Sequence, residues 1–390
     1  MHPMVKPALR RAWRNLQYVQ FGATPAHAVV LGPVDTTTGS LLGMFDGTRG
    51  LALLREEARA LGLPDGRMEA LVDRLADAGL LDDAAVGDPA ADALRKEDGA
   101  LDRLRADLAS LSVVHREPGG AIRRLAARRS MRVQVRGAGR VGASVAALLS
   151  ASGVGRVEVL DGECVEPWDV APGGLAAEAV GERRDAAARR LVSRAAPGGR
   201  APRGAPRGGR GLGQTVGRAA GSEPGLSLVV VAPRDGLAAY APDPRPADDW
   251  VATGTPHLYA GVVEATGVVG PLVLPGGTAC ARCLDFERAD RDPAWPRMLA
   301  QWRSGRQSRV PACDLGLATA VAGLTAAHAL AFLDGDLPAS TGARWETSLP
   351  LLDWRSERIA PHADCTCGAA GGREGVRTSD DGPEQATMAG

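Results

Sequence analysis

The sequence predicts an α/β fold: a Rossmann-like sheet with helices on both faces, preceded by a small winged-helix domain of α+β type. Three observations carry this expectation. A strand-like run, Arg132–Arg136, leads directly into Gly137-Ala138-Gly139-Arg140-Val141-Gly142, and a second strand-like run, Val157–Leu160, ends in Asp161. Upstream, three short segments with helical spacing and strand-like flanks crowd into about 60 residues. Downstream, two close cysteine pairs, Cys280/Cys283 and Cys365/Cys367, stand far apart in the chain.

The elements follow in order. Residues 1–25 read as a flexible arm with a short helix at Pro7–Asn15. Residues 26–85 read as the winged helix. Ala26–Leu31 is a short apolar strand, Thr36–Phe45 a helix with Ser/Thr at its start, and Asp46-Gly47 a turn. Leu51–Leu61 has helical spacing; Asp65 then caps a third helix whose Met68, Leu71, Val72 and Leu75 share a face, with Gly79 as terminator. That helix also carries Arg67, Glu69, Asp73, Arg74 and Asp77, a mixed-charge set unsuited to DNA phosphates. Residues 86–130 are a helical connector with helices at Leu101–Leu111 and Ala121–Ala127. Residues 131–368 hold the Rossmann-like unit: helix Ala143–Ser152, strands Leu226–Ala232, Pro256–Gly261 and Val268–Leu274, the long apolar helix Leu315–Leu333, and a late strand Leu349–Trp354. Within it, residues 196–225 form an Arg/Gly/Pro/Ala tract too poor in apolar residues to order itself, and residues 369–390 read as a disordered tail.

Composition narrows the function. The chain has 390 residues, with 46 Lys+Arg against 46 Asp+Glu and a formal net charge of zero. A general polyanion binder would show a basic excess, so no nucleic-acid partner is expected. The lysines are Lys6 and Lys96 alone, so chemistry that needs a lysine later in the chain has none to use. Six cysteines are too few for a disulfide scaffold at this length. Met1–Asn15 has no apolar core of a secretory signal. Leu315–Leu333 is long and apolar enough to span a bilayer, but its many small residues read as a buried helix. A cytoplasmic protein without a membrane partner is expected.

The glycine turn allows backbone N–H groups to approach phosphates at a helix N-terminus, and Asp161, about 20 residues beyond, stands where an acid accepts from a ribose. The nucleotide-binding candidates are therefore Gly137, Gly139, Arg140, Gly142 and Asp161. The plainer reading is that the glycines serve helix–strand packing with no nucleotide. The metal candidates are Cys280, Cys283, Cys365 and Cys367. Paired thiolates from two loops suit tetrahedral zinc, and four of them leave no open position, which makes the zinc structural. Two unrelated reduced pairs or a redox Cys-x-x-Cys are the alternatives; a redox motif opens a helix in a thioredoxin-like unit, whereas Cys280 follows a Pro-Gly-Gly turn. His362 is an alternate ligand. Cys164 and Cys313 read as packing thiols, with Cys313 also a candidate acceptor nucleophile.

Thr38 to Asp82 resembles the PqqD-like recognition domain of peptide-modifying systems, through Leu41-Leu42-Gly43-Met44-Phe45-Asp46-Gly47-Thr48-Arg49 and Leu71–Leu81. The resemblance implies a leader peptide added as a strand beside the third helix. From about Ser130 to Gly368 the chain resembles the ThiF-type superfamily, whose relatives activate ubiquitin-like proteins. The residues are Gly137–Gly142, Asp161-Gly162-Glu163-Cys164-Val165-Glu166, Gly181-Glu182-Arg183-Arg184, Thr255–Gly261 and Cys280–Cys283. Active relatives bind ATP and Mg²⁺, adenylate a C-terminal carboxylate, and in many cases are homodimers. The family's Asn and Arg-Gln pair are replaced by Trp168-Asp169-Val170-Ala171-Pro172-Gly173-Gly174, its lysine position falls to Arg184, and its metal-binding aspartate falls near Asp235, offset by one or two residues. Arg184 and Asp235 are thus the catalytic candidates of a site expected to be degenerate. The closest resemblance is to ThiF-like proteins of bacteriocin and thiazole/oxazole peptide systems. These imply a precursor leader peptide as partner and a separate YcaO-type cyclodehydratase. An active ATP-dependent adenylyltransferase acting on a carrier protein or peptide carboxylate is the alternative, and a nicotinamide oxidoreductase a third.

Overall fold

The computed structural model describes residues 1–85, 87–97, 99–198, 225–304 and 310–371. In chain order its elements are β1 (Pro3–Val5), β2 (Arg11–Trp13), β3 (Val19–Phe21), β4 (Val29–Leu31), α1 (Thr36–Leu42), α2 (Leu51–Ala60), α3 (Arg67–Asp77) and β5 (Leu81–Asp83). Then come α4 (Pro89–Arg95), α5 (Ala100–Arg103), α6 (Arg105–Val114), α7 (Gly120–Arg128), β6 (Arg132–Arg136), α8 (Arg140–Ala151), β7 (Arg156–Leu160) and α9 (Arg184–Ala195). The remainder is β8 (Leu228–Val231), α10 (Leu237–Tyr240), α11 (Pro244–Ala252), β9 (His257–Val263), β10 (Thr266–Val273), α12 (Ala281–Arg291), α13 (Trp295–Ser304), α14 (Leu315–Leu333), β11 (Ala343–Ser348) and β12 (Arg355–Arg358). The principal sheet has seven strands in the order β12-β11-β10-β9-β8-β6-β7; β1-β5 and β2-β3-β4 form two small sheets. The expected α/β class, with a mixed sheet, flanking helices and a small N-terminal β/α subdomain, is what the structure has.

Contacts divide the chain into two units. The first comprises Met1–Val135, Ala143–Leu226 and Leu330–Asp336. Its N-terminal part corrects the flexible arm. β1 pairs antiparallel with β5, Pro3 opposite Asp83 and Val5 opposite Leu81. The helix expected at Pro7–Asn15 is instead β2, paired with β3. Val19 and Phe21 are fully buried in one cluster with Leu41, Leu54, Leu75, Leu80 and Leu81. Three-residue strands are too short to show a period in sequence, which is why they read as an arm. The three helices of residues 26–85 stand as expected, with two changes of cap: Asp35 replaces the Ser/Thr expected on α1, and Gly66 replaces Asp65 on α3. Asp35 caps α1 by accepting from the Thr38 N–H at 2.6 Å. Gly66, at φ 83°, precedes α3, while Asp65 pairs with Arg59 at 3.2 Å. Four helices, not two, fill residues 86–130, around Leu94, Ala100, Leu104 and Leu125. α7 is held by an ion pair in which Arg128 Nε and Nη2 donate to the two oxygens of Asp334, at 2.8 and 2.5 Å.

The second unit comprises Arg136–Gly142, Ser227–Ala329 and Leu337–Gly390. β8 and β9 run parallel, and β9, β10, β11 and β12 are antiparallel neighbours in sequence. β9 is buried from His257 to Val262, as a strand covered on both faces must be. The late strand expected at Leu349–Trp354 is a turn with Leu351 84% exposed. Pro350 has no N–H for a ladder, and the strands are β11 and β12 on either side of it. α14 is long and apolar enough to cross a membrane by length and composition. Its buried residues, Leu317, Ala318, Val321, Ala322, Thr325, Ala326 and Ala329, recur on one helical face. Most of the insertion expected over residues 196–225 and of the tail expected over 369–390 lies outside the described residues.

Candidate functional site

The four cysteines expected to act together lie together. Cys280 ends the loop after β10 as the N-cap of α12, and Cys283 lies one turn into that helix. Cys365 and Cys367 come from the loop after β12. All four Sγ atoms lie within 4.8 Å of one another, with Cys280–Cys365 at 3.5 Å, Cys283–Cys367 at 3.6 Å and Cys280–Cys283 at 3.9 Å. Zinc–thiolate bonds of about 2.3 Å in a tetrahedron require sulfurs about 3.8 Å apart. The geometry and donor set therefore fit zinc, and three of the four thiols are buried, as a structural site needs. A hydrogen bond from the Cys280 thiol drives Cys283 down to about 4, and that same bond, with burial, pushes Cys280 up. Burial pushes Cys365 up to about 11. A bound cation would favour the thiolate form of all four. His362 is not among these ligands: its Nε2 faces Asp290 at 2.9 Å and its ring lies 5.0 Å from that of Phe286. Cys164 is exposed rather than packed.

The glycine turn lies in the same unit. A Cβ on Gly137 would come within 2.1 Å of the Ala232 carbonyl oxygen, and one on Gly142 within 2.1 Å of the Gly137 carbonyl oxygen. Gly137 also sits at φ 109°. Packing alone accounts for these two glycines, so their presence does not require a nucleotide. Gly139 is roomier, its nearest neighbour Arg234 at 3.3 Å. Arg140 Nη1 donates to the Cys313 carbonyl at 2.7 Å. Asp235 Oδ1 accepts from the Leu237 N–H at 3.1 Å and so turns the chain into α10.

The first unit brings Asp161 and Arg184 together and adds two residues that the sequence reading did not single out. Arg184 begins α9 with a side chain 2% exposed. Its Nε donates to Asp169 Oδ2 at 2.9 Å, its Nη1 to Asp161 Oδ1 and Glu163 Oε2 at 3.1 Å each, and its Nη2 to Glu163 at 3.2 Å. Asp169 is itself buried and accepts from the Glu166 N–H at 2.9 Å. Burial opposes the charge on Arg184, but Asp161 and Asp169 outweigh it and raise its pKa further. One guanidinium thus carries three carboxylates. Asp169 stands in the stretch that replaces the family's Asn and Arg-Gln pair, and that replacement was its only signal in the sequence.

The profile of the ThiF family matches residues 116–203 and 227–369. No curated protein matches the chain significantly. Among solved structures, E. coli MccB with ATP is similar at 14% identity and a TM-score of 0.64, covering 94% of this chain and 99% of that one. E. coli MccB with AMPCPP and MccA is similar at 14% identity and 0.65, over 95% and 100%. PaaA is similar at 15% identity and 0.63, over 91% and 99%. These identities speak for the fold, N-terminal part included. Matched by its profile over more than half its length, the chain belongs to the ThiF family.

Proposed function

We propose that the protein is an ATP-dependent adenylyltransferase acting on a peptide or carrier-protein carboxylate. The likeness to MccB, solved with ATP and with MccA, over nearly the full length of both chains supports this reading most. In such a reaction a carboxylate oxygen bonds to the α-phosphorus and pyrophosphate departs. Both reactants are anionic, so the site must supply positive charge. ATP would lie on Gly139 and the start of α8, with Asp161 on the ribose and Arg140 and Arg184 as the cations. Bound Mg²⁺ would neutralise phosphate charge, and Asp235 is the acid nearest the family's metal position. The N-terminal part would hold the peptide, in the manner of a PqqD-like domain. Zinc would be structural. A homodimer in the cytoplasm is part of this proposal.

One observation favours a second reading, a leader-binding scaffold of bacteriocin or azole biosynthesis that serves a separate YcaO-type cyclodehydratase. Arg184 already carries Asp161, Glu163 and Asp169, a net negative group unsuited to phosphates. ATP–pyrophosphate exchange with the full chain decides. Peptide-stimulated exchange that Asp161→Ala abolishes supports the adenylyltransferase. Peptide binding by calorimetry without exchange overturns it in favour of the scaffold.

A further inference from the structure

A second cluster of charge lies in the second unit, apart from the cysteines and the glycine turn. Arg288 on α12 and Arg344 on β11 are 9% and 5% exposed. Both guanidiniums stack on one ring, that of Tyr240, at 4.3 and 5.0 Å from its centre, and Arg288 also stacks on Trp295 at 4.7 Å. Arg288 Nη1 donates to the Tyr240 carbonyl at 2.9 Å, and Arg344 Nη2 to Glu357 at 3.1 Å. Arg288 Nη2 and Arg344 Nη1 are buried with no acceptor among the described residues. Glu346 Oε1 stands 2.5 Å from Arg344 Nε yet off the N–H direction, so it offsets charge without completing a hydrogen bond. Asp285 is half-buried and engaged by Trp295 Nε1 at 3.5 Å. Burial, and then Arg344, hold Arg288 down to about 10.

Buried N–H groups of a charged donor without acceptors are costly, and native proteins rarely leave two in one cluster. Planar guanidiniums fixed by aromatic stacking are preorganised for planar or tetrahedral oxygen acceptors. We propose that Arg288 and Arg344 form an internal oxyanion site that takes a carboxylate or phosphate group through Arg288 Nη2 and Arg344 Nη1. Tyr240 and Trp295 hold the two forks in place; the acids of the cluster keep the pair from repelling itself apart when the site is empty. The inference stands independently of the adenylylation reading.

The test is calorimetric titration of the full-length, zinc-loaded chain with sodium phosphate and with sodium acetate, against sodium chloride at matched ionic strength. Binding of phosphate or acetate beyond chloride is expected, weakened at least tenfold in R344Q and in R288Q. The stronger probe identifies the ligand as phosphate-like or carboxylate-like. R344K keeps the charge and loses the fork, so it provides a folded variant if R344Q does not fold, and it too should bind at least tenfold more weakly. Equal response to all three salts, or wild-type affinity in R344K, overturns the proposal.

Discussion

The four thiols of the second unit and the three carboxylates of the first each gather ionisable groups that repel one another once charged. They differ in where the cation comes from. Arg184 is part of the chain and is already hydrogen-bonded to Asp161, Glu163 and Asp169. The thiols have one member that ionises readily and two that burial and hydrogen bonding hold as neutral thiols, so the cation that would unite them is supplied from outside. The carboxylate cluster should therefore be indifferent to chelators and strongly dependent on one side chain. The thiol cluster should be the reverse, dependent on the metal and equally on each of its four ligands.

Zinc removal is the largest expected effect. The purified chain should carry one equivalent of zinc. Stripping it with a chelator, or Cys365→Ser, should lower the thermal midpoint by about 10 °C or more, because ligand binding free energy is folding free energy here. Metal content by mass spectrometry beside a melting curve checks this; an unchanged midpoint after complete stripping would remove the staple from the account. Arg184→Met comes next. It removes the guanidinium shared by Asp161, Glu163 and Asp169, and urea unfolding should show a loss of about 3–5 kcal/mol, insensitive to chelator. Arg184→Lys keeps the charge but not the fork that reaches three acids, and should fall between Met and the wild type.

The contrast also explains what could be read from the sequence. Cys280-x-x-Cys283 and Cys365-x-Cys367 are local spacings, and thiols at such spacings have few uses, so the cysteine cluster was legible in the sequence. The Arg184 group draws on the strand end at Asp161, the short turn holding Asp169, and the start of α9. None of those acids is unusual alone, and only the folded chain brings them together. The strands at Arg132–Arg136 and Thr266–Val273 were likewise legible, while the six-residue β11 and the three-residue β1, β2 and β3 were not. At Leu349–Trp354 an apolar run suggested a strand where Pro350 forces a turn, a case of composition outweighing hydrogen-bonding capacity.

The glycine turn shows packing of a third kind, in which nothing is charged. Gly142→Ala would bring a Cβ within 2.1 Å of the Gly137 carbonyl oxygen, and backbone cannot step aside as a side chain can. A loss of about 1–3 kcal/mol is expected by urea unfolding, at every pH and with or without chelator. A loss that appears only after zinc is stripped would mean that the turn and the cysteine cluster are coupled.

Acid titration would sharpen the comparison most finely, since thiolate–zinc bonds fail as protons compete for sulfur. One group in the second unit complicates that measurement. His257 is fully buried on β9, and burial lowers it from 6.5 to about 4. Its Nδ1 lies 3.2 Å from the Thr255 carbonyl, and its Nε2 is buried without a partner among the described residues. A folded-state value below the unfolded one means the unfolded chain takes the proton first. The contribution of His257 is complete above pH 6.5 and is lost as pH falls from there toward 4. Between pH 8 and pH 5 the loss is about 2 kcal/mol. His257→Phe removes this slope while keeping an aromatic ring against Trp250 and Tyr259, whose rings lie 5.1 and 5.5 Å away. In that variant, the stability lost between pH 8 and pH 5 should shrink by about 2 kcal/mol. A wild-type slope in His257→Phe would mean that the second unit's acid sensitivity lies elsewhere, with the cysteines the first place to look.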